Sequence, residues 1–350
     1  MPSWSRWILA PLHVLALASG AKSFRDNPLL GHPALNRHGL HVARKRLAHR
    51  LAAARRRRLE PRLSAGDRAG FLRDGYLVIP DFLPATEFAR MRAEVLGCRT
   101  AAREFIDGYT LTRLIPLDGA TLPGLPATAA ALAGGRYRGL HDYIGSFRQA
   151  PHLFVQTVFS GVRDAAPDVQ SHFHTDTFHP TVKSWLFLTD VAGDAAAFTY
   201  VPGSHLPNRR HLAWERRVSV TAATAGDRLT GEGSLRIEPA MLARLGYPAP
   251  RKLAVAANTL VIADTSGFHR RGISGGTACR IAIWAYARGS PFQPWTGLGA
   301  ADSADGKLRG GRLVRLFWAA QDLLGRVTGQ RNGWRWVGVR SPATPPEAAQ

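Results

Sequence analysis

Residues 172–205 read HFHTDTFHPTVKSWLFLTDVAGDAAAFTYVPGSH, with His174, Thr175 and Asp176 at the heart of the stretch. On a strand, side chains at i and i+2 share a face. His174 and Asp176 would then present an imidazole and a carboxylate side by side. Two such ligands cover part of a metal ion, and a third is available downstream in Asp264-Thr265-Ser266-Gly267-Phe268-His269. His174, Asp176 and His269 make a two-histidine, one-carboxylate face. That is the ligand set of non-haem Fe(II) oxygenases, which leaves positions open for oxygen and a co-substrate. His172 and His179 flank the motif. Parity also puts His172 on the face of His174, but only His174 completes an H-x-D unit. Asp264 is read as the end of an apolar strand over 259–263 rather than as a rival ligand.

Arg280 follows His269 by eleven residues and opens the apolar run Arg280-Ile-Ala-Ile-Trp-Ala-Tyr286. A dicarboxylate co-substrate such as 2-oxoglutarate chelates iron at one end and needs a fixed cation at the other. A planar guanidinium grips a carboxylate with two parallel hydrogen bonds.

H-x-D alone recurs by chance. Here it is followed by Trp185-Leu-Phe-Leu-Thr-Asp190, by Val201-Pro-Gly-Ser-His205, and by His269 and Arg280. In these residues the chain resembles the phytanoyl-CoA dioxygenase family of Fe(II)/2-oxoglutarate oxygenases. The resemblance begins near Gly75-Tyr-Leu-Val-Ile-Pro-Asp81, runs to about Tyr286 and spans over half the chain. It implies Fe(II) on His174, Asp176 and His269, 2-oxoglutarate with its distal carboxylate on Arg280, and O2 as oxidant. It also implies release of succinate and CO2 with hydroxylation of a C–H bond. Related halogenases carry a small residue at the position of Asp176, so the carboxylate here favours hydroxylation. In the family, polar residues on the strand over 152–158 reach the co-substrate, so Gln156 or Thr157 is expected to do so. Lys183 and Trp185 follow the motif; Lys183 is assigned to the co-substrate and Trp185 to the substrate, although Trp185 reads equally as core. Many relatives have a small hydroxyl residue two positions after the distal histidine, where this chain has Arg271. Arg270 or Arg271 is therefore expected to meet an anionic substrate. His205 is read as part of a structural turn beneath the barrel mouth.

Ser64, with Asp67 three residues on, reads as a helix start, and Gly75 as its end. Strands are expected over 76–79, 152–158, 172–176, 183–189, 196–201, 216–220, 259–263 and 280–287, and a helix over 85–96. Short strands separated by turn signals predict an all-β core with flanking helices. With the family pattern, the architecture expected is a double-stranded β-helix of the jelly-roll or cupin-like type, with helical N- and C-terminal extensions. Three parts follow: a basic arm over 1–62, the oxygenase domain over 63–290, and a basic, Trp-containing extension and disordered tail over 291–350.

With 350 residues, 45% hydrophobic and 20% charged, the chain is globular and long enough for a full core. Cys98 and Cys279 show neither metal-ligand spacing nor a disulfide framework, which suits a reducing compartment. The net charge of +21 is uneven: residues 1–63 carry +11 and residues 291–350 carry +4. Such ends attract polyanions. The apolar run over 8–18 is too short to span a bilayer, and Ser19-Gly20-Ala21 after it offers a signal-peptide alternative. The segment 36–59 reads as a basic amphipathic helix, either laid on an anionic membrane or packed on the core with a solvated basic face. A second amphipathic helix is expected over 311–325, with Leu313, Leu316, Phe317, Ala320 and Leu324 on one stripe. No DNA-binding motif is present, so nucleic acid ranks last as a partner. The expected function is hydroxylation of an anionic or lipid-linked substrate by a cytoplasmic enzyme that can sit on the inner membrane surface. The alternatives are a soluble small-molecule hydroxylase of secondary metabolism and a non-catalytic polyanion- or membrane-binding protein on a jelly-roll scaffold.

Overall fold

The computed structural model describes residues 3–297, 315–325, 327 and 333–346. The main sheet is built from β1 (Tyr76–Ile79), β2 (Thr100–Asp107), β3 (Thr110–Pro116), β4 (His152–Ser160), β5 (Val182–Phe187), β8 (Leu260–Asp264), β10 (Ala278–Ala287) and β11 (Arg335–Arg340). Their order is β1-β8-β5-β10-β4-β3-β2-β11, and every neighbouring pair is antiparallel. A smaller sheet has the order β7-β6-β9, from β6 (Phe198–Tyr200), β7 (Arg251–Lys252) and β9 (His269–Arg271). Single bridges extend this small sheet from His269 to His174 and from His174 to Arg236.

Strand alternation explains how the two sheets meet. On β5, Trp185 and Phe187 point one way and Leu186 the other; on β8, Val261 and Ala263 oppose Leu260 and Ile262. One set joins Phe198 and Tyr200 of the small sheet in the core between the sheets. The other set is covered by helices, which contribute Leu59, Phe71, Met91, Val95, Leu140 and Ile144. This is the jelly-roll sandwich, with helices on the outer face of its large sheet.

The helices are α1 (Ser3–Leu17), α2 (Pro33–Arg37), α3 (Leu40–Leu59), α4 (Ala65–Asp74), α5 (Ala85–Gly97), α6 (Pro126–Ala133), α7 (Gly135–Gly145), α8 (Arg209–Thr221), α9 (Arg228–Gly231) and α10 (Pro239–Arg244). Ser64 caps α4 by accepting from the Asp67 N–H at 3.0 Å, and Gly75 ends it in the left-handed region.

Five expectations are corrected in whole or in part. Residues 216–220 are not a strand but the end of α8, where His211, Trp214, Glu215 and Ser219 are buried at helical spacing. The β-branched run at its end had suggested period two. Around 172–176 no regular strand forms; His174 alone bridges on both sides. The basic helix α3 turns several charges inward. Arg44 donates to the carbonyls of Leu17, Ser19 and Ala21, and Lys45 meets Glu215 at 2.6 Å. Arg55 donates to the Ser146 carbonyl at 3.0 Å, and Arg56 meets Asp264 at 2.9 Å. These four charges are used inside the fold, while Arg46, Arg50, Arg57 and Arg58 remain on a solvated face. At the other end, 315–325 is helical, but Leu316, Phe317 and Leu324 face outward while Trp318 packs on Phe154. Leu313 lies outside the described residues. Residues 341–346, expected as disordered tail, are held instead: Arg113 donates to the Ser341 carbonyl and Thr157 to the Pro342 carbonyl, both at 2.9 Å. No helix among the described residues is long and apolar enough to cross a membrane.

Candidate metal centre

His269 enters the site because β8 ends at Asp264 and a tight turn returns the chain as β9. Gly267 lies in that turn. A Cβ there would run into the Tyr200 hydroxyl and stand 2.9 Å from the His205 backbone nitrogen, so only glycine fits. Tyr200 donates its hydroxyl to the Asp264 carbonyl at 2.6 Å. The Val201-Pro-Gly-Ser-His205 loop braces the same turn: Ser204 Oγ accepts from the Phe268 N–H at 2.8 Å, and Val201 N–H donates to the Phe268 carbonyl at 2.9 Å. Asp264 fixes the turn from within. Its carboxylate accepts from Arg56, Thr181 N–H, Ser266 N–H and the Ser266 hydroxyl.

His174 reaches the same point through its double bridge. It exchanges backbone hydrogen bonds with His269 at 2.9 and 3.0 Å. Directly paired residues project to one face, and the two rings lie 4.5 Å apart. Asp176 Oδ1 stands 3.9 Å from His174 Nε2 and 3.8 Å from His269 Nε2. Among the described residues these three form the only group of metal-ligating type whose donor atoms all lie within 4.8 Å.

The protonation pattern suits a metal. His174 Nδ1 meets the His172 carbonyl at 2.8 Å and His269 Nδ1 meets the Gly267 carbonyl at 2.9 Å. A carbonyl can only accept, so each Nδ1 carries the proton and each Nε2 offers its lone pair to the centre. Burial pushes both imidazoles below their ordinary value, His174 further because His269 and Arg236 add repulsion. Burial alone would raise Asp176, but Lys183 and the two imidazoles hold its carboxyl well below the usual range. Lys183 Nζ lies 2.7 Å from Asp176 Oδ2, an ion pair that leaves Oδ1 to face the histidines.

Beside the triad lies a cavity of about 430 Å³. Its floor crosses β10, β4, β3 and β2, and its far wall is Trp334 stacked on Phe105 at 5.4 Å. Arg280 borders it as a buried cation. Its Nη1 donates to the Ala196 carbonyl at 2.9 Å, and it has no carboxylate partner among the described residues. Burial, with Arg271 adding, lowers it to about 9. Gln156 also borders the cavity and accepts from Trp185 Nε1 at 3.2 Å, while Trp185 packs on Phe198 at 4.7 Å. Thr157, the next residue on β4, faces away and is tied to Pro342, so it is not brought to the site. Arg271 shares the face of His269 and pairs with Asp168 at 2.8 Å. Arg270 alternates to the other face, where its guanidinium lies 4.5 Å over Phe173; it only borders the cavity. His172 is exposed, and His179 is buried with Nδ1 turned to its neighbour's carbonyl, Pro180.

Two site residues carried no sequence signal. Lys22 reaches in from the N-terminal segment and donates to the Asp176 carbonyl at 2.7 Å; burial and then Arg288 lower it to about 8. Arg236 bridges His174 from a stretch with no motif.

No protein-family model matches the chain, and no curated protein is similar to it in sequence. Solved structures are similar to it in part, and three serve as examples. One is the epimerase SnoN in complex with Fe3+, α-ketoglutarate and nogalamycin RO, at 19% identity and a TM-score of 0.41 over 68% of this chain and 88% of that one. Another is HygX from Streptomyces hygroscopicus with nickel and 2-oxoglutarate bound, at 22% identity and a TM-score of 0.38 over 69% and 93%. The third is EctD from S. alaskensis with bound Fe, at 15% identity and a TM-score of 0.40 over 69% and 86%.

Proposed function

We propose that the protein is an Fe(II)- and 2-oxoglutarate-dependent oxygenase that hydroxylates a C–H bond of a small molecule. The observation that carries this reading is the convergence of two Nε2 lone pairs and one carboxylate oxygen beside a buried arginine that lacks a carboxylate partner among the described residues. The donor set fits Fe(II). Adjacent ligands on ~2.1 Å bonds stand ~3 Å apart. At 3.8 and 3.9 Å from the two Nε2 atoms, Asp176 Oδ1 is placed so that the three residues would hold the ion after modest adjustment.

When bound, iron and 2-oxoglutarate supply the oxidising chemistry, consuming O2 and giving succinate and CO2. The chain's own part is placement. His174, Asp176 and His269 hold one face of the ion and leave the other open. Lys183 keeps Asp176 to a single metal-facing oxygen. Arg280 offers the distal carboxylate of the co-substrate a charged partner with no ion pair to break, and burial strengthens that attraction. Gln156 locks Trp185, which fixes the wall against which substrate is held. The pattern supports the phytanoyl-CoA dioxygenase type, and the intact Asp176 supports hydroxylation over halogenation.

A small molecule is favoured over a lipid-linked one. The cavity volume lies in the range of small-molecule sites. Four of the eight lysines and arginines of α3, Arg44, Lys45, Arg55 and Arg56, are used inside the fold and are not available to a membrane surface. The test is turnover of 2-oxoglutarate. Purified protein should convert it to succinate with dependence on both Fe(II) and O2. Asp176→Ala should lower the rate ~100-fold or more, as expected when a metal worth several kcal/mol no longer binds. A folded, iron-supplied wild type that makes no succinate, or makes it equally without Asp176, would favour the non-catalytic scaffold reading.

A further inference from the structure

The charge of the cavity exceeds what iron and co-substrate require. Lys183, Arg270, Arg271 and Arg280 border it, against Asp107 and Asp176. The charges of Fe(II) and the 2-oxoglutarate dianion cancel. Arg271 is answered by Asp168, and Lys183 by Asp176. A surplus of positive charge remains for another ligand.

Arg236 adds to that surplus. It bridges His174 directly, and His174 bridges His269. Opposed residues in an antiparallel pair share a face, so Arg236, His174 and His269 start from one face of the small sheet. Leu229, on α9 seven residues before Arg236, borders the cavity. Arg236 Nη1 donates to Ser234 Oγ at 3.3 Å; its Nη2 is buried with no partner, and it forms no ion pair among the described residues. The acids near it are otherwise used. Asp227 accepts from the Leu229 N–H, the Thr230 N–H and the Thr230 hydroxyl, and Asp107 accepts from the Val169 N–H. A guanidinium with an unmet buried donor is costly unless an anion completes it. Iron has its three ligands and the co-substrate has Arg280, so neither needs Arg236. Across the cavity, Trp334 and Phe105 present aromatic surface.

We infer that the substrate is an anion, a carboxylate or a phosphate monoester on an apolar or aromatic body, and that Arg236 binds its acidic group while Trp334 and Phe105 contact the body. This rests on the oxygenase reading above. It concerns a site on the small sheet, whereas Arg280 stands on β10 of the large one.

The test is calorimetric titration of the anaerobic protein loaded with Fe(II) and 2-oxoglutarate, using phenyl phosphate, phenylacetate and the neutral benzyl alcohol as probes. At least one anion should bind ~10-fold or more tightly than benzyl alcohol, and the tighter anion assigns the acidic group. Arg236→Gln should remove that preference, Arg236→Lys should keep part of it, and both should leave 2-oxoglutarate affinity within about twofold of wild type. Arg270→Gln, which removes another cation that borders the cavity but packs over Phe173, should keep the preference. No saturable binding of either anion, equal binding of the neutral probe, or an unchanged preference in folded Arg236→Gln would overturn the assignment. Loss of 2-oxoglutarate affinity in Arg236→Gln would move Arg236 to the co-substrate site and equally overturn it. Failure of the oxygenase reading shows separately, as no uptake of Fe(II) and 2-oxoglutarate before any probe is added.

Discussion

A glycine with no chemistry of its own decides where His269 stands. Gly267 allows the turn after β8 to press against the Tyr200 hydroxyl and the Val201–His205 loop. Gly267→Ala should therefore destabilise the protein by about 3 kcal/mol or more, because the new methyl group meets packed atoms that cannot all retreat. Thermal melts should show it. Tyr200→Phe alone costs the hydrogen bond to the Asp264 carbonyl, about 1 kcal/mol. Added to Gly267→Ala it also removes the nearest of the clashing atoms, so the double variant should be less destabilised than the two single costs together. Strict additivity would contradict this packing account. At this scale the sequence was informative where chemistry is carried by residue type. His174, Asp176, His269 and Arg280 could be named from spacing, and they converge or border one cavity. Thr157 could not be separated from Gln156, because strand parity gives two faces without saying which is inner. Arg270 and Arg271 posed the same problem, and β9 gives the inner face to Arg271. Lys22 and Arg236 were invisible, since each acts through a long-range approach that leaves no local pattern.

Elements were legible when their periodicity was local. β1, β4, β5, β8 and β10 are apolar runs bounded by turn residues, and α4 begins and ends where capping chemistry places it. β11 was not read, because it pairs with β2 more than two hundred positions away, and β2 was not read because it is not strongly apolar, although it also pairs locally with β3. The N-terminal helix α3 shows a different limit. Its arginines and lysine look like a solvated face in sequence, yet Lys45, Arg55 and Arg56 are buried against a carboxylate, carbonyls and a phenyl ring. Composition cannot say whether a basic helix spends its charge on water or on the core. Here Arg56 spends it on Asp264, and thus on the turn that delivers His269.

Across the whole molecule, buried histidines tie stability to pH. His141 is the clearest case. Its Nδ1 meets the Tyr137 carbonyl at 2.8 Å and its Nε2 the Ser184 hydroxyl at 2.8 Å, a pairing that satisfies the neutral ring. Burial lowers it to about 4, and His205 and His211 are likewise lowered to about 4. Below its ordinary value of about 6.5, the unfolded chain takes up a proton that the folded chain refuses. Stability is therefore full above about pH 6.5 and is lost as pH falls toward the folded value near 4. Between pH 7 and pH 5, His141 alone should account for about 2 kcal/mol. Urea midpoints should fall over that interval in wild type and fall less in His141→Gln. An equal fall in both would remove His141 from the account.

The central claim is that His174, Asp176 and His269 hold Fe(II) while Arg280 receives 2-oxoglutarate. Its most direct test is anaerobic titration with Fe(II) and then 2-oxoglutarate, followed by visible absorption, in wild type, His174→Ala and Arg280→Ala. Chelation should produce a metal-to-ligand charge-transfer band in wild type. The band should be absent from His174→Ala, and in Arg280→Ala it should require a higher 2-oxoglutarate concentration by ~10-fold or more. A folded, iron-loaded wild type without the band, or a band indifferent to both substitutions, would contradict the claim.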